Sequence, residues 1–239
     1  MPAVFVHGVP ESHIIWDAIR SRLSRKDVLA PDMPGFGGAP LPSGFTAHMN
    51  DYAAWLISEL EKAGEPVDLV GHDWGALLSL RAASLRPNLI RTWTIGSGAI
   101  DPDYVWHDTA KIWQTPGVGE QVMERLTPDT LTAALVAAAV PAADAASAAE
   151  HLDATMKQSI LALYRSAVRV GAEWEADLRR APARGLLLWG EKDPYAAPSF
   201  GRRLAERTRA RFVELAGCGH WWQLERPADV AKELEGHWS

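Results

Sequence analysis

The chain has 239 residues, 47% of them hydrophobic and 23% charged, with a formal net charge of −6 and one cysteine. This suits one globular domain with a sizeable core and room for an inserted subdomain. It excludes a basic footprint for nucleic acid or an anionic membrane surface, a bilayer-spanning run, and, with Cys218 alone, an internal disulfide. The opening MPAVFVHGVP lacks the charged and apolar regions of a signal peptide, so the cytoplasm is the expected location.

In chain order, short and nearly continuous apolar runs predict strands over 3–6, 28–30, 67–70, 90–95, 185–189 and 212–215. Continuous rather than alternating hydrophobicity is the mark of parallel strands covered on both faces. Helical spacing predicts helices over 14–23, 47–63, 76–85, 199–208 and 228–238, with Thr46 as a candidate N-cap and Gly64 as a terminator of the second. Strand–helix alternation implies an α/β fold built on a mostly parallel sheet. The rhythm breaks over 101–181, which reads as helical throughout. The expected organisation is therefore a core of 1–100 and 182–239, with a helical cap over 101–181. A helical continuation without a role in the site is the plainer alternative.

Ligands of open α/β sheets bind at the carboxyl ends of the strands. There the sequence places His7-Gly8-Val9-Pro10, Gly71-His72-Asp73-Trp74-Gly75, Trp189-Gly190-Glu191-Lys192-Asp193-Pro194 and Gly219-His220-Trp221. Gly-x-nucleophile-x-Gly between a strand and a helix is a nucleophile elbow, in which a tight turn lifts the central side chain into the cleft. Asp73 as a mere helix N-cap is the competing reading, weakened by an acid and a histidine at later strand ends.

With these motifs the chain resembles the α/β-hydrolases over nearly its whole length. Gly-His-Asp-Trp-Gly is similar to the epoxide hydrolase and haloalkane dehalogenase branch, whose nucleophile is aspartate. The resemblance implies an α/β-hydrolase fold with Asp73 as nucleophile, His220 as base and Asp193 as the acid that orients it; Asp101, after the fourth strand, is a rival for the acid. It also implies an oxyanion hole made by the amides of Trp74 and Val9. An ionised carboxylate displaces a leaving group from an sp³ carbon without first losing a proton, as a serine must. The ester so formed is cleaved by water activated by His220.

Two substrates fit this chemistry. Epoxide opening is the main expectation, with Tyr164 in Leu163-Tyr164-Arg165 as the cap acid the family uses; a packing tyrosine on an amphipathic helix is the alternative. The segment 111–118 resembles the stretch beside the family's second cap tyrosine, which falls here at Thr109, leaving Tyr104 as a nearby substitute. Haloalkane dehalogenation is the second expectation. It needs N–H donors around the halide, from the Trp74 indole and from Trp106 or Trp113, because Val9 stands where many dehalogenases carry asparagine. The carboxylate clamp of fluoroacetate-type enzymes is missing at Trp74 and Leu77. A non-catalytic small-molecule receptor of the same fold is third.

The eleven tryptophans favour a small apolar or aromatic electrophile as substrate, with water as co-substrate. Gly35-Phe36-Gly37-Gly38 reads as a flexible loop beside the site, not a dinucleotide fingerprint, because Pro40 precludes the helix. His7 and His13 lack zinc-ligand spacing, so no metal or cofactor is implied. Because the sequence starts almost directly on its His-Gly strand, a sheet of six parallel strands without the N-terminal strands usual in the family is expected. An exposed first sheet edge is expected, covered by a second subunit or by the chain's own helices.

Overall fold

Six strands, β1 (Ala3–Val6), β2 (Val28–Leu29), β3 (Val67–His72), β4 (Ile90–Gly96), β5 (Gly185–Gly190) and β6 (Arg211–Leu215), form one parallel sheet in the order β2-β1-β3-β4-β5-β6. They belong to a computed structural model that describes residues 1–98 and 100–239. β1, β3 and β5 are buried along their whole length, which is why their sequences are apolar at nearly every position rather than at every second one.

Helix α1 (Asp17–Arg20) joins β1 to β2. Helix α2 (Met49–Lys62) precedes β3, and α3 (Trp74–Leu85) follows it. Between β4 and β5 run α4 (Asp108–Gln114), α5 (Val118–Arg125), α6 (Pro128–Ala137), α7 (Ala142–Glu150), α8 (Ala154–Ser166) and α9 (Val170–Trp174). The chain closes with α10 (Pro198–Thr208), α11 (Trp222–Glu225) and α12 (Pro227–Trp238).

Alternate residues of each strand feed two cores. Val4, Leu69, Ile95 and Leu187 pack with Leu56, Leu78 and Leu204 of α2, α3 and α10. Phe5, Val70, Leu186 and Leu188 pack on the other face with Ile19, Trp222, Val230 and Leu234. Each such fully buried side chain is worth about 1.5–3 kcal/mol relative to exposure. Strand order turns back between β1 and β3, and that switch point brings the loops after both strands to one crevice.

Several element bounds differ from the sequence reading. The segment expected as one helix over 14–23 is a 3₁₀ turn, His13–Trp16, followed by the four-residue α1. Its apolar spacing is real, since Ile15, Ile19 and Leu23 are all buried. The helix stops where the Ser21 hydroxyl donates to the Ala18 carbonyl, an alternative to continued helix. Helix α2 is capped by His48, whose Nδ1 accepts from the Asn50 amide, and not by Thr46, which bonds Asp51 through both its amide and its hydroxyl. Residues 101–107 of the insertion are not helical. There Asp101 accepts from the Asp103 amide on either side of Pro102. The sheet's edges are β2 and β6, and at the first of them β2 pairs with Ala3 and Val4 of β1. A two-residue strand offers little backbone for another chain to pair with.

Candidate active site

Helix α3 starts directly after Asp73, so the chain must turn from strand to helix within one residue. Asp73 takes φ 51° and ψ −120° to do so, a conformation a non-glycine residue holds only when its surroundings enforce it. A methyl group at Gly75 would stand 2.1 Å from the Val6 carbonyl oxygen, and one at Gly8 would stand 2.5 Å from Asp73 Cβ. Glycine at these positions lets the ends of β1 and β3 close on each other, with the Asp73 side chain between them.

The two oxygens of Asp73 have different surroundings. Oδ1 accepts a hydrogen bond from the Val9 amide at 2.9 Å. Oδ2 lies 3.6 Å from His220 Nε2. The expected second donor, the Trp74 amide, makes no hydrogen bond to this carboxylate; among the described residues, Val9 is its one backbone donor.

His220 follows the loop after β6 and is buried. Its Nδ1 lies 3.0 Å from each oxygen of Asp193, which also accepts from the amides of Tyr195 and Ala196. Burial by itself pushes the imidazole's pKa down, but Asp193 and Asp73 outweigh it and lift His220 to about 10. Burial opposes ionisation of Asp193 as well, yet the His220 charge and the hydrogen bonds it receives hold its pKa below the usual carboxylate value. Asp101 is also buried, but its partners are arginines: its Oδ2 is clamped by Arg203 at 2.9 Å and Arg207 at 2.7 Å. Of the two candidate acids, only Asp193 meets the histidine.

A cavity of about 210 Å³ lies between these strand ends and the helical insertion, with Asp73, His220 and Val9 on its floor and Trp113, Leu135 and Tyr164 among its walls. Tyr164 is buried on α8, and burial, with the nearby Asp73 charge, raises its hydroxyl well above the ordinary value of 10. It therefore stays protonated as a donor. The Trp74 indole, expected as a halide donor, does not line this cavity; it is buried and packs edge-on against the Tyr164 ring. Two of the other cap candidates, Tyr104 and Trp106, are engaged. The Tyr104 hydroxyl donates to the Tyr195 carbonyl at 3.0 Å, and the Trp106 indole donates to the Ala167 carbonyl at 3.1 Å. Thr109 lines the cavity but is too short to replace a tyrosine.

The Gly35–Gly38 turn does not line this cavity. It is anchored by buried Phe36 and by the Met33 amide, which donates to His7 Nε2. That bond makes His7 a structural acceptor. His13 pairs with Asp32.

The sequence reading missed two groups. His107 lines the cavity while its Nδ1 accepts from the Ala110 amide as the N-cap of α4. Glu11 is 2% exposed and accepts from the Gly8 amide and the Trp221 indole. A carboxylate one residue beyond the His-Gly-Val-Pro turn was the available signal for the latter.

Residues 3–233 match the family described as the alpha/beta hydrolase family. "Haloalkane dehalogenase 2" of Mycobacterium tuberculosis is 28% identical over 251 aligned residues, covering 98% of this chain and 86% of the relative. "Epoxide hydrolase 2" of Siraitia grosvenorii is 38% identical, but over 97 residues that cover 38% of this chain and 30% of that protein. Among solved structures, a haloalkane dehalogenase from Bradyrhizobium elkani superposes with a TM-score of 0.79 at 24% identity, covering 99% of this chain and 90% of that one. A meta-cleavage product hydrolase from Pseudomonas fluorescens superposes with a TM-score of 0.83 at 19% identity, covering all of this chain and 90% of the other. At these identities the superpositions speak for the fold alone.

Proposed function

For a chain that belongs to the alpha/beta hydrolase family, we propose hydrolysis of a small alkyl halide through a covalent ester on Asp73. The observation that carries this reading is the divided carboxylate of Asp73, with Oδ1 on the Val9 amide and Oδ2 facing His220. Oδ2 attacks the halogen-bearing carbon, and the carbon–halogen electron pair leaves with the halide. Oδ1 becomes the carbonyl oxygen of the ester, already seated on a donor for the charge that develops in the second step. His220 then takes a proton from water as the water oxygen adds to the ester carbon. Collapse releases the alcohol and restores Asp73. The net reaction consumes one water and yields alcohol, halide and a proton.

The electrostatics order these steps. Alkylation cancels the Asp73 charge, one of the two carboxylates that hold His220 protonated. Its pKa falls when the ester forms, and His220 becomes a base at the stage that needs one. Halide as the leaving group, rather than the epoxide oxygen first expected, is supported by the near-full-length dehalogenase relatives. The cavity is smaller than the ~300–1,000 Å³ usual for drug-sized ligands, which suits a short or compact apolar substrate.

Epoxide opening is the second reading, favoured by Tyr164, a protonated hydroxyl on the cavity wall within the field of Asp73. The deciding experiment is intact-protein mass of His220→Ala after separate incubation with a terminal bromoalkane and an aromatic epoxide. Without its base the enzyme should stall as the ester. An alkyl adduct lacking bromine on Asp73, with bromide release, supports the dehalogenase. An adduct of the whole epoxide alone moves the assignment to epoxide hydrolysis, and absence of both overturns the alkyl halide reading in favour of a different electrophile or a receptor.

A further inference from the structure

Glu11 is a buried carboxylate that the reaction above does not use. Its Oε2 accepts from the Gly8 amide at 2.8 Å and lies 3.3 Å from His72 Nδ1, while Oε1 accepts from the Trp221 indole. Each partner is the chain neighbour of a reacting group. Gly8 precedes Val9, the donor to Oδ1; His72 precedes Asp73; Trp221 follows His220. His72 extends the connection through its Nε2, which donates to the His220 carbonyl at 2.9 Å. The loops after β1, β3 and β6 thus meet at one side chain.

Burial alone would raise a carboxyl's pKa and neutralise it. Glu11 is instead held down to about 2 by His72, by the His220 charge and by the Gly8 amide. It stays an acceptor on both oxygens across the working pH range.

We propose that Glu11 is a positioning residue that holds the Val9 donor, the Asp73 elbow and the His220 loop in register. The proposal rests on the reading of Asp73 and His220 given above. Its physical content is that both oxygens must accept. A glutamine of the same shape has to turn its NH₂ towards either the Gly8 amide or the Trp221 indole, setting donor against donor.

The test is Glu11→Gln in the full chain, assayed beside the wild type on whichever substrate forms the Asp73 ester. We expect kcat to fall roughly 30-fold or more with KM within about threefold, because misplaced reacting groups cost transition-state rather than ground-state binding. The pH profile adds a readout that loss of packing does not move. Glu11 favours the imidazolium form of His220, which is also faced by Asp73, Asp193, His72 and His107. Removing the Glu11 charge therefore moves the limb set by His220 deprotonation to lower pH. Adding Trp221→Phe to Glu11→Gln gives the amide a side free of donors and should recover part of the lost kcat.

A Glu11→Gln enzyme with kcat within twofold of wild type and an unmoved limb overturns the proposal while leaving the Asp73 ester intact. A wild type that forms no ester overturns the underlying reading instead. If Glu11→Gln does not fold, Trp221→Phe alone decides. It removes one tie and should lower kcat about threefold to tenfold at constant KM; an unchanged kcat rejects the role.

Discussion

The floor and the roof of the cavity are built on different principles. On the floor, polar groups are fixed by named partners: Asp73 by the Val9 amide, His220 by Asp193, and Asp193 by two backbone amides. On the roof, the insertion offers mainly apolar walls, and two of its polar groups are turned away into backbone carbonyls, Tyr104 to Tyr195 and Trp106 to Ala167. The contrast teaches a division of labour. Strand ends are set by sheet register and fix the candidate reacting groups, whereas the packed helices of the insertion supply the cavity's apolar walls.

The comparison breaks at once if floor substitutions leave turnover intact. Asp73→Asn should lower kcat by about 10⁴-fold or more, because an amide is no nucleophile. The fold should survive by circular dichroism, since asparagine tolerates the positive φ of this turn. A fully active variant whose mass rules out deamidation sinks the assignment. Next in size is a matched pair of buried acids. Asp193→Asn should cost about 10³-fold in kcat, since it leaves His220 without the acceptor that orients it. Asp101→Asn should leave kcat unchanged and lower Tm, because its carboxylate is bound to Arg203 and Arg207 rather than to the site. Loss of activity in Asp101→Asn without loss of Tm would reverse the assignment of the acid.

What the sequence made legible follows the same division. All six strands were readable as short apolar runs, and in β1, β3 and β5 burial along the whole length makes those runs nearly continuous. Asp73, His220 and Asp193 could be grouped as candidates from sequence because a strand end fixes a residue's place before any packing is known. The sequence already favoured Asp193 over Asp101, and the structure adds that only Asp193 lies against His220, while Asp101 is bound to Arg203 and Arg207. Tyr104 and Trp106 looked available as donors because sequence does not show which way a side chain on a loop turns. Glu11 escaped notice because its three partners lie 3, 61 and 210 residues away in the chain. No local pattern reports such a meeting.

Two measurements sharpen the comparison with smaller effects. Tyr164→Phe removes the protonated hydroxyl of the roof and little else. Any epoxide turnover should fall about 10²-fold, the scale of a lost general acid, while bromide release should change by no more than about threefold, because a halide leaves without a proton. Equal losses on both substrates would place Tyr164 in packing rather than chemistry. The second concerns stability. The folded pKa of His220, about 10, lies above its ordinary 6.5. The protonated histidine therefore stabilises the native state fully below pH 6.5, and that contribution is lost as pH rises through about 10. The Tm difference between wild type and His220→Gln should narrow over that interval; a difference that widens with pH contradicts the charge arrangement on the floor.

The smallest effect tests the roof alone. Leu135 of α6 is 6% exposed and lines the cavity, as Leu131 does one turn earlier on the same helix. Leu135→Ala removes three carbon atoms from a wall that already borders open space, so those atoms have fewer packing contacts to lose. The stability cost should fall at the low end of the ~2–5 kcal/mol typical of buried leucine truncations. The larger cavity should raise kcat/KM for a longer or branched bromoalkane relative to a short one by roughly 10-fold, since each methylene accommodated in an apolar pocket is worth about 1–3 kcal/mol. The ester-forming rate on a short substrate should stay near wild type, because no bond to Asp73, His220 or Asp193 passes through this helix. Should Leu135→Ala slow the short substrate as much as the long one, roof and floor are mechanically coupled and the division of labour between them fails.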